Sequence, residues 1–171
     1  MDYLQTVKDR FPEHFQGRVV LEFGSKNING TPRGLFTDCS YIGLNRDEGK
    51  DVDVVSRMHE YEPGFEFGTI ISTSTLEHDK YVDQSMQRCW DLLAPGGLLV
   101  VTTVVPSWGA HNIKEGEDNH YEGIAIERAR GWLDSWLPVD SELLERDGNL
   151  LLYARKGSEP PDQTSAPDPT P

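Results

Sequence analysis

Several short polar groups each end an apolar run, and each is of a type that can hold or act on a small ligand. Glu22-Phe23-Gly24-Ser25 closes the run that starts at Arg18. It joins a carboxylate, a hydroxyl and a glycine, which lets backbone approach a ligand closely. N–H groups of a helix after such a turn can meet a carboxylate. Asn45-Arg46 follows Tyr41-Ile42-Gly43-Leu44, and Arg57-Met58 follows Val52-Asp53-Val54-Val55. Ser72-Thr73-Ser74 closes the run from Thr69 and leads into Leu76-Glu77-His78. A further stretch, Val104 to Glu122, holds Pro106, Ser107, Trp108, His111, His120 and Tyr121. Long loops of this kind are uncommon unless they bind something. Histidine side chains change charge close to neutral pH, and His111 is the candidate catalytic base for a hydroxyl or other protonated group, against the plainer reading of a surface histidine. Trp108 and Tyr121 suit stacking on an aromatic or sugar ring, or anchoring of the loop. His111, His120, Glu117 and Asp118 match no zinc-ligand spacing, so no metal site is expected. Cys39 and Cys89 have no close-spaced partner and no histidine at zinc spacing, which reads as two reduced thiols.

These groups need elements to position them. Leu4, Val7, Phe11 and Phe15 recur at helical spacing over residues 2–15, with Pro12 kinking or ending the helix. The three runs from Arg18, Tyr41 and Val52 read as strands. The link Asn45 to Asp51 is too short for a helical crossover, so the helix there is missing or the third strand is displaced. The run from Thr69, a helix over Lys80 to Leu93, a tight turn at Ala94-Pro95-Gly96-Gly97 and the run Leu98 to Thr103 form one parallel crossover unit. A third helix covers Gly123 to Leu137 and is closed by Pro138. Ser141 to Arg146 and Asn149 to Arg155 flank Asp147-Gly148, a two-residue hairpin signal. Residues 1–156 form the domain. From Gly157 on, five prolines with polar residues and no large apolar one predict a disordered tail.

Leu76-Glu77-His78 followed by Leu93-x-Pro95-Gly96-Gly97-x-Leu99 and further apolar residues resembles the fourth and fifth strands of class I S-adenosylmethionine-dependent methyltransferases. Glu22-x-Gly24-Ser25 with Asn29-Gly30-Thr31-x-Arg33, and Pro106-Ser107-x-Gly109-x-His111, resemble a small bacterial or phage-type branch of the methyltransferase type 11-like kind. The resemblance covers about Val19 to Thr103, roughly half the chain. It implies an α/β fold, a Rossmann-like, doubly wound, mostly parallel sheet with a C-terminal antiparallel hairpin. It also implies S-adenosyl-L-methionine as cofactor, held by Glu22, Phe23, Gly24, Ser25, Asn45, Arg46, Arg57, Met58, Ser72, Thr73 and Ser74. The activity implied is methyl transfer to a small-molecule or glycan-type acceptor, with His78 in a structural role. Ligands of open α/β sheets bind beyond the carboxyl ends of the strands, where all these groups emerge. Lys26 and Ile28 depart from the family's glycines. Asn45 stands in place of an aspartate on the ribose, a change worth about 1 kcal/mol. Arg57 stands where an aspartate often meets the adenine amine. A fold-retaining binding module without catalysis is therefore the second reading. A nicotinamide enzyme would need G-x-G-x-x-G after the first strand, which Gly24 to Gly30 does not supply.

The bulk numbers narrow the partners. A net charge of −13 and a pI near 4.7 repel phosphate backbones, so a small-molecule or protein substrate fits better than nucleic acid, and a small-molecule substrate is expected. No apolar run approaches the ~18 residues of a membrane span. Met1-Asp2-Tyr3-Leu4-Gln5 lacks a basic stretch followed by an apolar one, and a cytoplasmic location is expected.

Overall fold

The computed structural model describes residues 2–109 and 120–158. Seven strands form one sheet: β1 (Val19–Phe23), β2 (Ser40–Asn45), β3 (Val54–Val55), β4 (Phe67–Thr73), β5 (Leu93–Val104), β6 (Asp140–Arg146) and β7 (Asn149–Arg155). Their order is β3-β2-β1-β4-β5-β7-β6. Every pairing among β1 to β5 is parallel, and β7 runs antiparallel to both β5 and β6. Among the described residues three α-helices accompany it, α1 (Asp2–Arg10), α2 (Val82–Leu92) and α3 (Ile126–Trp136). This is the doubly wound, mostly parallel α/β sheet with a terminal antiparallel hairpin that the sequence pointed to.

The central strands read as continuous apolar runs because both faces are covered. On β5, Leu98 and Val100 join Tyr3, Leu4, Val7 and Phe11 of the α1 side, while Leu99 and Val101 join Met86, Cys89, Trp132 and Trp136 of the α2–α3 side. The hairpin closes on Asp147 and Gly148, with φ of 52° and 75°, the pair of left-handed residues that a tight two-residue turn needs.

In two places the structure decides between alternatives the sequence left open, and in one it differs from the expectation. The N-terminal helix stops at Arg10, and Pro12 opens a separate 3-10 turn, Pro12–His14. Ala94-Pro95-Gly96-Gly97 is not a turn before the strand but lies inside β5, where the pairing with β4 shifts register between Phe67 and Thr69. Gly96 takes φ of 74°, so the glycine absorbs a bulge rather than a chain reversal. Its N–H donates to Gly157 O at 3.1 Å, and Lys156 N donates to Gly97 O at 2.9 Å, so pairing continues past β7 into the first residue assigned to the tail. Tail residues from 159 lie outside the described residues. Third, the β2–β3 helix is missing, the first of the two alternatives that the short link left open, and no α-helix stands elsewhere between β1 and β4. Only 3-10 turns, Pro32–Leu35 and Met58–Glu60, stand between β1 and β2 and between β3 and β4. Residues 46–53 link β2 to β3 without a helix, and β3 shrinks to two residues.

Candidate functional site

Strand order reverses between β1 and β4, and there the carboxyl-end loops part. Phe23 sits level with Ser72 across this junction, so Gly24-Ser25 and Thr73-Ser74-Thr75 line its two sides. Gly24 has φ of 84°, and a Cβ on it would lie 1.9 Å from Thr75 Oγ1. The glycine is therefore required by the Thr75 side chain, itself tied to Thr73 O at 3.0 Å. Ser74 is left-handed, φ 48°, with its N–H on Thr102 O at 2.8 Å, which turns the chain away from β4. The N–H groups of Gly24 and Ser25 both go to Leu44 O, at 2.8 and 3.1 Å. They are committed to the fold and are not donors for a ligand carboxylate.

What the junction leaves unsatisfied is hydroxyl. Ser25 and Ser72 are each 1% exposed, and among the described residues the Oγ of neither has a hydrogen-bond partner. Buried hydroxyls in a native fold are paired, so two orphans at one strand-end junction fit a polar ligand. Asn45, at the end of β2, donates Nδ2 to Asp47 O at 2.8 Å, leaving Oδ1 to accept from a ligand hydroxyl. Arg46 pairs with Asp47 at 3.4 Å. Arg57 lies over the Tyr81 ring at 5.6 Å, whereas Met58 is 1% exposed and packs in the α2–α3 core. Phe23 is likewise core.

Glu22 is 3% exposed and accepts from Tyr41 Oη at 2.8 Å. Burial pushes its carboxyl above the usual carboxylate range, and the same burial, reinforced by the Glu22 charge, pushes the Tyr41 phenol up. Gly43 was not singled out in the sequence, yet a Cβ there would lie 2.3 Å from Asp51 O and 2.7 Å from Ser25 Oγ. A glycine inside an apolar strand is the signal that could have found it.

The second part of the site follows β5. Val105 N donates to Gly148 O at 3.1 Å, Ile124 N to Val104 O at 2.8 Å and Glu122 N to Glu77 O at 2.8 Å, so both ends of the loop are pinned. Between them opens a cleft of about 530 Å³ lined by Ser107, Trp108, Tyr121, Glu122 and Arg128 among others. The Trp108 indole rests on bare backbone, since a Cβ on Gly148 would lie 2.4 Å from its Cε3, and the side chain stays 48% exposed. Arg128 is gripped by Asp83 through Nε and Nη2 at 3.0 and 2.9 Å, and Asp83 also accepts from Trp132 Nε1 at 2.8 Å. The Arg128 hydrogen bonds hold the Asp83 carboxyl below its usual range. His78 packs edge-on against Tyr121 at 5.3 Å, and buried Glu77 accepts from Thr103 Oγ1 at 2.8 Å. His111, Glu117 and Asp118 lie outside the described residues. Among those described, no group of three His, Cys, Asp or Glu could hold a metal, and no helix is long and apolar enough to cross a membrane.

The strand order, the single reversed strand β7 and the rim of short loops are those of the class I S-adenosylmethionine-dependent methyltransferase fold, which this chain has. Among solved structures it is similar to the 1,6-didemethyltoxoflavin-N1-methyltransferase of Burkholderia thailandensis, bound to 1,6-didemethyltoxoflavin and S-adenosylhomocysteine, at TM-score 0.66 and 18% identity over 92% of this chain and 77% of that one. The N-methyltransferase NodS of Bradyrhizobium japonicum with S-adenosylhomocysteine matches at TM-score 0.63 and 15% identity over 91% and 85%. The phosphoethanolamine N-methyltransferase 2 of Haemonchus contortus with S-adenosyl-L-methionine matches at TM-score 0.67 and 16% identity over 92% and 52%. At these identities the likeness establishes the fold. No protein-family model matches the chain, and no curated protein matches it in sequence.

Proposed function

We propose that this protein binds S-adenosyl-L-methionine at the β1–β4 junction and transfers its methyl group to a small-molecule or glycan-type acceptor in the cleft beside Trp108. The observation that carries the proposal is the pair of orphaned hydroxyls, Ser25 and Ser72, on the same edge of the sheet as that cleft. Each of the three solved structures of this fold named above holds S-adenosylmethionine or its demethylated product, and one of them also holds 1,6-didemethyltoxoflavin. When bound, the cofactor supplies a sulfonium methyl group open to in-line displacement.

The chain's own part is mainly positional, and holding two reactants at contact distance accounts for ~7–11 kcal/mol of barrier in well-oriented systems. Ser25, Ser72 and the Asn45 Oδ1 would hold the donor, beside Gly24, Thr73 and Ser74. Trp108 offers a stacking face to the acceptor, and Arg128, held by Asp83, lines the same cleft. Where the acceptor carries a proton, His111 is the candidate base. Free thiols at Cys39 and Cys89 accord with a cytoplasmic protein. A second reading, a binding module without catalysis, draws on the Gly24 and Ser25 N–H groups being committed to Leu44, which leaves fewer contacts for tight cofactor binding.

Calorimetry with S-adenosylmethionine and S-adenosylhomocysteine tests the cofactor, with micromolar binding of both expected. No heat and no thermal shift at saturating ligand would leave only the fold. His111→Ala tests the base: turnover should slow ~10²–10⁴-fold with cofactor affinity unchanged. Full activity in that variant removes the histidine from the mechanism.

A further inference from the structure

The segment Asn29-Gly30-Thr31-Pro32-Arg33 has no part in the function proposed above, yet its arginine spans the cofactor rim. Thr31 Oγ1 accepts from Arg33 N at 3.2 Å and so starts the 3-10 turn that carries the side chain. Arg33 Nη2 donates to Asp51 O at 3.1 Å and to the Asp53 carboxylate. That carboxylate also accepts from Gly43 N at 2.7 Å, in the middle of β2. The guanidinium lies 4.7 Å from the centre of the Tyr41 ring, and the Tyr41 hydroxyl is the one that donates to Glu22. Asn27 adds a second tie, from its N–H to Lys50 O at 3.0 Å and from Nδ2 to Asp51 at 2.6 Å, while its Oδ1 accepts from Gly30 N at 3.0 Å.

In a full doubly wound sheet a helix after β1 would seat this loop by burying an apolar stripe. Here a 3-10 turn stands in its place, and Ile28, Asn29 and Gly30 are exposed. The loop is held instead by polar ties to residues 50–53. We propose that Arg33 is the positioning residue of the cofactor site, seating the loop after β1 on the β2–β3 connection and, through Tyr41, setting the Glu22 carboxylate beneath it. The inference rests on the cofactor reading above and adds to it the residue that keeps the rim in shape.

Two effects of Arg33 are separable. One is geometric, since only a guanidinium offers two donors in a fixed plane together with a face for stacking. The other is charge. The groups facing Glu22 are Tyr41 from β2, Arg33 from its own loop, and Asp51 and Asp53 from the β2–β3 connection. Burial raises the Glu22 pKa, the Tyr41 hydrogen bond and the Arg33 charge oppose it, and the two aspartates add to it. S-adenosylmethionine carries a sulfonium charge, so its binding should strengthen as Glu22 ionises.

The test is calorimetry with S-adenosylmethionine from pH 5 to 8 on the full chain and on Arg33→Lys, Arg33→Met and Glu22→Gln, with melting curves alongside. Both Arg33 variants should bind at least ~tenfold more weakly, the loss of hydrogen bonds to a charged group. Wild type should show one step of rising affinity with pH, which Arg33→Lys keeps, Arg33→Met moves to higher pH and Glu22→Gln removes. If Arg33→Met does not fold, Tyr41→Phe breaks the same link and should move the step instead. Unaltered affinity in both arginine variants overturns the proposal. So does weaker binding with the step unmoved in Arg33→Met, which makes Arg33 a brace of the fold alone. A wild type that binds neither S-adenosylmethionine nor S-adenosylhomocysteine defeats the functional reading itself, and the role of Arg33 toward a cofactor goes with it.

Discussion

Asn45 makes a hydrogen bond that a carboxylate in its place could not make. Its Nδ2 holds Asp47 O at 2.8 Å and thereby the start of the β2–β3 link. On sequence grounds alone, Asn45→Asp should tighten cofactor binding by about 1 kcal/mol, through a charged acceptor on the ribose. In the fold the same change also sets a carboxylate against the Asp47 carbonyl and loses a bond worth ~0.5–1.5 kcal/mol. The two terms are of similar size and opposite sign. Affinity measured by calorimetry should therefore shift by less than about threefold, while the melting temperature falls. A gain of tenfold in affinity at unchanged stability would mean that the loop does not depend on Asn45. Residues of this kind show where sequence reading stops. Glu22, Gly24, Ser25 and Asn45 were legible as polar groups at strand ends, because strand periodicity and end position are local signals. The link from Arg33 through Tyr41 to Glu22 was not, because it joins three elements through side-chain contacts. Nor was Thr75 as the reason for Gly24, since the two meet only once β1 and β4 pair.

At the scale of elements, segments that bury one stripe or two faces were read to within a few residues, and those shaped by polar ties were not. Helices over 82–92 and 126–136 fall inside the predicted spans, as apolar periodicity requires. Pro95-Gly96-Gly97 was read as a turn because those residues usually make one, but tertiary pairing with β4 and the residues after β7 draws them into a bulged strand. The 3-10 turn after α1 contains the titrating group that ties its stability to pH. His14 is 4% exposed, with Nδ1 3.3 Å from Gly68 O and its own carbonyl accepting from Thr69 Oγ1 at 2.7 Å. Burial pulls its pKa below the ordinary 6.5. The folded state thus holds the proton less tightly than the unfolded chain. The stability this gives is complete above pH 6.5 and drains away as the pH falls toward the lowered value. Glu22 acts in the opposite sense, its raised pKa favouring the fold at the acid end of its own range, so the His14 contribution must be read as a difference. Melting midpoints of wild type and His14→Gln should converge as the pH drops from 7.5 to 5.5, since glutamine can still donate to Gly68 O but does not titrate. A constant gap over that range would show that His14 binds its proton equally well in the folded and unfolded states.

Over the whole molecule, the sheet brings Ser25, Asn45 and Ser72 to one edge, and the missing helices between β1 and β4 leave that edge held by loops. Such an edge has little apolar area to seat it, so its electrostatics carry more of the load than in a fully wound sheet. The chain holds 29 acidic against 16 basic side chains, a net charge of −13. A field of that sign raises the local concentration of cations and repels anions. S-adenosylmethionine bears one more positive charge than S-adenosylhomocysteine and is otherwise nearly the same shape, so the pair isolates the field from the contacts. At 10 mM salt the screening length is about 30 Å, wide enough for the whole charge distribution to act on the site, and at 150 mM it is about 8 Å. Raising the salt across that range should weaken S-adenosylmethionine binding and leave S-adenosylhomocysteine nearly unchanged, so that the ratio of their affinities falls. Calorimetry at fixed pH on the two ligands measures it directly. Parallel loss of both would trace the salt effect to the rim itself, loosening through the Arg33–Asp53 pair. A ratio that does not move while both affinities hold would mean that Arg33, Arg46 and Arg57 cancel the acidic field at the cofactor edge.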